Sequence, residues 1–355
     1  MGNHSNISPN PASTRYSRQV RFVPLGEAGQ ERLRASRAVL IGAGALGAAQ
    51  ANALVRAGLG FLRIVDRDFL ELHNLPRQWL YDEQDLADNL PKAEAARRKL
   101  ARINSDATVE AVVADARFDN IESLADSADI LLDGTDNFQT RYLINDLAVK
   151  TNRPWVYGGA VGATGLELAI RPGHTVCLRC LFEEAPPPGS TETCETAGVL
   201  GPVAALVGEL QAIDAIKILT GHADSVSRRM THIDGWLGRI VQLDVGAPRP
   251  DCPCCGRRDF AFLAGRLAEG AVSLCGRNAV QIAAPTSNSA APAKVDFARI
   301  AARLTPAARA TFNDFLLKFT VDSFEVTVFT DGRAIIAGTA DPAVARSIYA
   351  RYVGS

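Results

Sequence analysis

Long hydrophobic runs are missing from this sequence of 355 residues. No stretch of roughly 18 apolar residues occurs, so no membrane-spanning helix is expected. The opening residues, "MGNHSNISPNPAST", lack the apolar segment of a signal peptide, which makes secretion unexpected and the cytoplasm the expected compartment. Met1 and Gly2 begin like a myristoylation signal, but Asn6 stands where that signal needs Ser or Thr. Runs of one charge are missing too. With 38 basic and 39 acidic residues the formal net charge is -1, so no sequence-wide field would gather nucleic acid or anionic lipid. Histidine is sparse, and His4, His174, His222 and His232 show no metal-ligand spacing. Cysteine numbers only seven. An odd count in a cytoplasmic chain argues against a disulfide framework and for metal binding or thiol chemistry.

What is present reads as a doubly wound α/β fold. Residues 1–14 are expected to form a disordered tail. Next, "RAVLIGAGALGAAQANALVRAGLGFLRIVDRD" contains a buried apolar strand at Ala38 to Ile41, a glycine turn, an Ala-rich helix and a strand ending at Asp66. Helices are expected near 92–103 and 138–149, and strands near 109–113, 129–133 and 155–157. This alternation predicts a mostly parallel sheet of Rossmann type. Beyond it, "TGLELAIRP" reads as a strand, 202–219 as a long apolar helix and "RIVQLDV" as a strand. The large domain is placed at 15–265. A small C-terminal α/β domain is placed at 266–355, with a linker near 283–294 rich in Ala, Pro and Ser. Its expected parts are the strands "SFEVTVF" and "AIIAG", turning at Asp331-Gly332, and a helix from about Pro342.

Gly42, Gly44 and Gly47 form G-x-G-x-x-G between strand and helix, a spacing that lets backbone N–H groups approach a phosphate at the helix N-terminus. Asp66, about 20 residues on, can accept hydrogen bonds from ribose hydroxyls. These residues say nucleotide without saying which. An NAD-dependent oxidoreductase is one reading and an ATP-using enzyme the other; a triphosphate brings more charge and calls for added cations. Arg77 and Lys92 could supply them, although each has a plainer reading, as a loop cap and as one charge on a solvated helix face. In "DGTDNFQTR", Asp133 and Asp136 stand at the carboxyl end of a strand, where a carboxylate can hold Mg2+ on phosphate. The plainer reading is that Asp136 or Asn137 caps the next helix.

Cys177 and Cys180 form one C-x-x-C and Cys252 and Cys255 another, inside "DCPCCG". Two such pairs suit a closed tetrahedral Zn2+ site, though their separation leaves a redox pair open as a rival. Cys254 sits inside the second pair and could be taken for a ligand in place of a neighbour, while Cys275 reads as an ordinary buried thiol. Cys194, in "TETCETAGVLGP", is either inert or a nucleophile activated near a helix N-terminus. The prolines 186–188 make the segment before it a candidate mobile crossover.

Taken in order, "RYSRQVRF", "GAGALG", "DRD", "NLPRQ", "DGTDN" and "GVLGPVAALVGELQAIDAIKIL" resemble the ThiF/MoeB/HesA family of sulfur-carrier-protein adenylyltransferases, kin of ubiquitin-activating enzymes. The resemblance covers roughly residues 15–260. It implies ATP and Mg2+, with Gly42, Gly44, Ala45 and Gly47 at the phosphates and Asp66 and Asp68 of "DRD" at the ribose side. His73, Asn74 and Arg77 would lie along the triphosphate, Lys92 would neutralise it, and Asp136 with Asn137 would close over the reacting phosphorus. It further implies Cys177, Cys180, Cys252 and Cys255 as structural zinc ligands and Cys194 as the thiol that captures the carrier. A homodimer is implied, in which Arg18 reaches the neighbour's ATP. The expected partners are a ubiquitin-like sulfur carrier ending in Gly-Gly, for thiamin, molybdopterin or related sulfur transfer, and a separate sulfur donor protein. Ala45 replaces a frequent third glycine, and Pro76 stands inside "NLPRQ"; neither removes a side chain given a role. Arg77, Lys92, Asp136 and the paired cysteines are features that hydride transfer does not call for, and the complete nucleotide set argues against a non-catalytic scaffold.

Overall fold

In a computed structural model, the structure describes residues 15–185, 192–194, 196–267, 273–274, 278–282, 295–304 and 308–353. The expected tail at 1–14, the proline crossover at 186–188, Cys275 and the linker at 283–294 lie outside the described residues. The chain divides into two compact units, Met1–Leu267 and Ala268–Ser355.

The first unit begins with a helix that the sequence reading missed, α1 (Gly26–Ala35), followed by β1 (Arg37–Ile41), α2 (Ala45–Ala57) and β2 (Phe61–Val65). Helix α2 stops at Gly58, whose φ of 96° is the left-handed cap that glycine adopts without a Cβ clash. The chain continues through α3 (Lys92–Ile103), β3 (Thr108–Val112), β4 (Ile130–Asp133), α4 (Phe138–Thr151), β5 (Trp155–Val161) and β6 (Thr164–Ile170). It closes with α5 (Gly201–Leu219), β7 (Met230–Asp234) and β8 (Arg239–Leu243). These strands make one sheet in the order β3-β2-β1-β4-β5-β6-β7-β8. Pairings from β3 through β5 are parallel, and those from β5 through β8 are antiparallel. β1 and β4 read as unbroken apolar runs because both faces of the parallel half are buried. The strand order reverses on either side of β1, so the carboxyl ends of β1, β2 and β4 open onto one crevice, the place where doubly wound sheets bind ligands. No helix among the described residues is long and apolar enough to cross a membrane.

The second unit contains β9 (Ser273–Leu274), β10 (Ala279–Ile282), α6 (Phe297–Arg303), β11 (Thr311–Phe312), β12 (Leu316–Val321), β13 (Phe324–Phe329), β14 (Ala334–Ala337) and α7 (Pro342–Tyr352). Its sheet, ordered β11-β12-β13-β14-β10-β9, is antiparallel throughout. Only β13, β14 and α7 were legible as elements. Val280, Ile336, Val326 and Phe319 lie in one cross-strand row and join Ala345 and Ile348 of α7 in a separate core.

One buried acid pair crosses the antiparallel half of the large sheet. Glu167 on β6 is 4% exposed; its Oε2 accepts from Thr231 Oγ1 at 3.0 Å, and Asp214 of α5 faces it. Burial, and then the Asp214 charge, push the Glu167 carboxyl up to about 8. The unfolded chain releases this proton near 4.5, so the folded state holds a proton that the unfolded state lacks between the two values. The stabilisation is complete below about 4.5 and is lost as pH rises through about 8. Wild type is therefore expected to lose melting temperature between about pH 6 and pH 8.5, and Glu167→Gln, which stays neutral, to lose distinctly less. Parallel pH profiles of the two proteins would refute the assignment.

Candidate functional site

The crevice is organised by backbone approach. At Gly42 (φ 91°) a Cβ would stand 2.6 Å from the Gly134 backbone, and at Gly47 one would stand 2.0 Å from the Gly42 oxygen. Only glycine lets β1, the first turn of α2 and the end of β4 come this close. The Ala43 N–H donates to Asp66 Oδ2 at 2.6 Å and the Asp68 N–H to Oδ1 at 2.7 Å, tying the turn to the end of β2. Burial raises the pKa of Asp66, and the Lys92 charge opposes the rise. Tyr81 donates to the Ala43 oxygen at 2.8 Å and supports the turn from below. The N-cap of α2 is Gly44, without a side-chain capping bond, and Ala45 opens the helix. Its first-turn amides therefore face the crevice as an anion site.

Around this cradle the structure places the expected side chains unevenly. Lys92 is 4% exposed, which excludes the solvated-face reading, and its Nζ lies 3.2 Å from Asp68 Oδ2. Arg77 donates from Nη1 to the His73 oxygen at 2.6 Å, the plainer loop-capping contact. His73 itself is exposed and sits 3.2 Å from Glu71. Asn74 is buried; its Oδ1 accepts from the Glu71 N–H, and its Nδ2 has no partner. Gln78, which the sequence reading did not assign, is also buried. Its Nε2 lies 3.9 Å from where a Gly44 Cβ would be, and its Oε1 has no partner. Orphaned polar atoms of this kind beside a glycine cradle fit a polar ligand; the "RQ" of "NLPRQ" was the signal for Gln78.

Asp133 corrects one expectation. It is fully buried, and its carboxylate accepts from the Thr135 N–H and hydroxyl and from Arg141 Nε at 3.1 Å. Its own carbonyl accepts Gln50 Nε2 at 2.9 Å and Gln211 Nε2 at 2.8 Å. It is a structural anchor and is not available to a metal. Asp136, three residues on, is exposed at the crevice. Asn137 caps α4, accepting the Thr140 N–H at 2.9 Å. Arg18 is exposed on a segment whose neighbours, Tyr16 and Gln19, pack at the far end of α2. The 13 residues of that helix separate it from the cradle, a span of about 20 Å.

Cys194 is partly buried, and its thiol donates to the Ala160 oxygen at 3.1 Å. Burial and then the charge of Asp136 raise its pKa above the ordinary 9.0, against the pull of Arg77 and Arg141. The thiol thus shares an electrostatic environment with the crevice, although in this arrangement it is held protonated and is not an activated thiolate. Cys177, Cys180, Cys252 and Cys255 bring their sulfurs within 4.8 Å of one another. The contacts Cys177 to Cys180, Cys177 to Cys252 and Cys180 to Cys255 measure 3.9, 3.6 and 3.4 Å. A tetrahedral ion with bonds of about 2.3 Å sets its sulfurs roughly 3.8 Å apart. The donor set fits a closed four-thiolate metal site and is too open for disulfides. Cys254 is fully buried and accepts from Asn145 Nδ2 at 3.2 Å instead.

The family profile described as "ThiF family" matches residues 16–254. The chain belongs to the ThiF family. It is 42% identical over 342 residues to the sulfur carrier protein ThiS adenylyltransferase of Bacillus subtilis (strain 168), covering 96% of this chain and 99% of the relative. It is 37% identical over 242 residues to the SAMP-activating enzyme E1 of Haloferax volcanii, covering 68% of this chain and 88% of that one. The solved structure of E. coli MccB with MccA-N7isoASN shares the fold, with a TM-score of 0.60 at 24% identity over 70% of this chain and 76% of that one.

Because Gly47 meets a backbone oxygen and not a flexible side chain, Gly47→Ala in this ThiF-family chain is expected to cost several kcal/mol of stability. It is also expected to impair nucleotide binding, read by thermal melting with and without ATP. An unchanged melting temperature would contradict the packing described.

Proposed function

We propose that the chain uses ATP to adenylylate the C-terminal glycine of a ubiquitin-like sulfur carrier protein. The observation that carries this reading is the meeting, at one sheet edge, of an anion-ready helix N-terminus, the buried Lys92 and the exposed Asp136, with Cys194 in the field of Asp136. Relatives named adenylyltransferase and activating enzyme support it. A nicotinamide dehydrogenase has no use for this set.

In the proposed reaction the carrier carboxylate, already ionised at neutral pH, attacks the α-phosphorus. A carboxyl O–P bond forms, the bond to the β-phosphate oxygen breaks, and pyrophosphate leaves. Gly44, Ala45 and the first amides of α2 hold phosphate, Asp66 and Asp68 stand at the ribose side, and Lys92 balances charge. Arg77 and His73 with Asn74 line the triphosphate path, Arg77 after releasing its loop contact. Asp136 and Asn137 close the site, and Mg2+ held at Asp136 would screen the phosphate charge. Positioning and charge neutralisation carry the catalysis. Cys194, once deprotonated, attacks the acyl carbonyl and expels AMP, and sulfur arrives from a separate donor protein. The four-cysteine site holds zinc structurally. A homodimer fits two observations. Trp236, Leu237, Ile240 and Leu243 expose an apolar strip on and beside β8, and Arg18 lies beyond reach of its own cradle. The cytoplasm is the matching compartment.

Pyrophosphate exchange with candidate carriers tests the reading. Asp136→Ala should abolish carrier-dependent exchange while the fold is retained; undiminished exchange removes its role. Cys194→Ala should leave exchange within about twofold, since adenylate formation needs no thiol, yet lose the thiol-sensitive carrier conjugate seen by intact mass. An equal conjugate in the variant moves the capture to another thiol. Metal analysis should return about one zinc per chain, and chelation should lower the melting temperature. A chain with no metal and four freely alkylated thiols would refute the site.

A further inference from the structure

Outside the crevice, between the C-terminal ends of α2 and α3, lies a cavity of about 330 Å³ lined by residues that include Arg56, Trp79, Leu80, Lys99, Arg102 and Ile103. Three of its side chains are cations, and no carboxylate lines it. Lys99 is already balanced by Asp82 and Asp85. Arg56 donates only to the neutral Asn52 Oδ1, at 2.9 Å. Among the described residues, neither Arg56 nor Arg102 is in an ion pair. Two guanidiniums lining one hollow with no carboxylate between them offer forked donors that match a phosphate.

The cavity also has an aromatic wall. Trp79, between the buried Gln78 and Leu80, is 62% exposed. A bare indole beside unpaired guanidiniums offers a stacking face next to an anion site. The volume is at the lower end of small-molecule sites, enough for one ring and one phosphate but not for a protein tail.

We propose that this cavity binds an organic phosphate of mononucleotide size, its phosphate on Arg56 and Arg102 and its planar ring on Trp79. The assignment stands on the cavity's own chemistry and does not depend on the carrier reaction. Two sources share this chemistry: AMP released by adenylyl transfer, and a second molecule of ATP.

Equilibrium dialysis of AMP and ATP against the full chain decides the matter. Wild type should bind two equivalents of AMP per chain. The double variant Arg56→Ala/Arg102→Ala should bind one, or bind the second at least tenfold more weakly, with pyrophosphate exchange at low ATP unchanged. Trp79→Phe should weaken the second equivalent several-fold and remove an AMP-dependent quench of tryptophan fluorescence. Tighter second-site binding of AMP than of ATP identifies a retained product, and the reverse order identifies a second substrate molecule. A single equivalent in wild type that the double variant leaves unchanged overturns the proposal, as does a second equivalent indifferent to the double variant. If pyrophosphate displaces the second AMP fully and Trp79→Phe has no effect, the ring subsite falls.

Discussion

The carbonyl oxygen of Asp133 holds the active half of the molecule together. It receives Gln50 from α2 and Gln211 from α5, while the carboxylate of the same residue receives Arg141 from α4 and the Thr135 backbone. Three helices are thereby fixed on one residue at the end of a central strand. Breaking a buried ion pair such as Asp133 with Arg141 by removing one partner typically costs about 3–5 kcal/mol. The geometry downstream, Gly134 against Gly42 and Asp136 at the crevice, therefore rests on rigid support. The helix whose N-terminus opens on the crevice and the helix that follows Cys194 are tied to one atom of β4, so both are pinned to the sheet at the same point.

The same residue shows where sequence reading works and where it stops. The glycine spacing and Asp66 were legible because the turn they form, closed by the Ala43 N–H on Asp66, lies within one βαβ unit, although Gly42 also meets Gly134 outside it. The paired C-x-x-C spacing was legible because four thiols so paired suit one tetrahedral ion, even though 75 residues separate Cys177 from Cys252. Asp133 and Asp136 looked equivalent, two acids three residues apart at a strand end. What separates them is Arg141 and the two glutamines, and nothing in the local sequence announces a partner 83 residues away, as Gln50 is. Lys92 misleads in the opposite direction: in "KAEAARRKL" it reads as one of several exposed cations, and only the ladder from Asp68 and the Pro91 bridge carries it inward.

The second unit was the less legible for a different reason. Its β12 sequence, "LLKFTV", buries Leu316, Leu317, Phe319 and Val321 in a pattern without strict alternation, and β10 is only four residues long. Antiparallel strands that short take their identity from neighbours across the ladder, such as Ile336 opposite both Val280 and Val326. Periodicity within one segment carries little of that information.

The hydrogen bond from Cys194 to the Ala160 oxygen has a consequence for when the protein is vulnerable. A thiol held neutral beside the crevice is a poor target for peroxides and electrophiles, because these react with thiolate. Departure of the sulfur from Ala160 and a change in the charges around it would be needed before it turned reactive. The resting chain thus keeps this sulfur, the one beside the crevice among the described residues, chemically quiet.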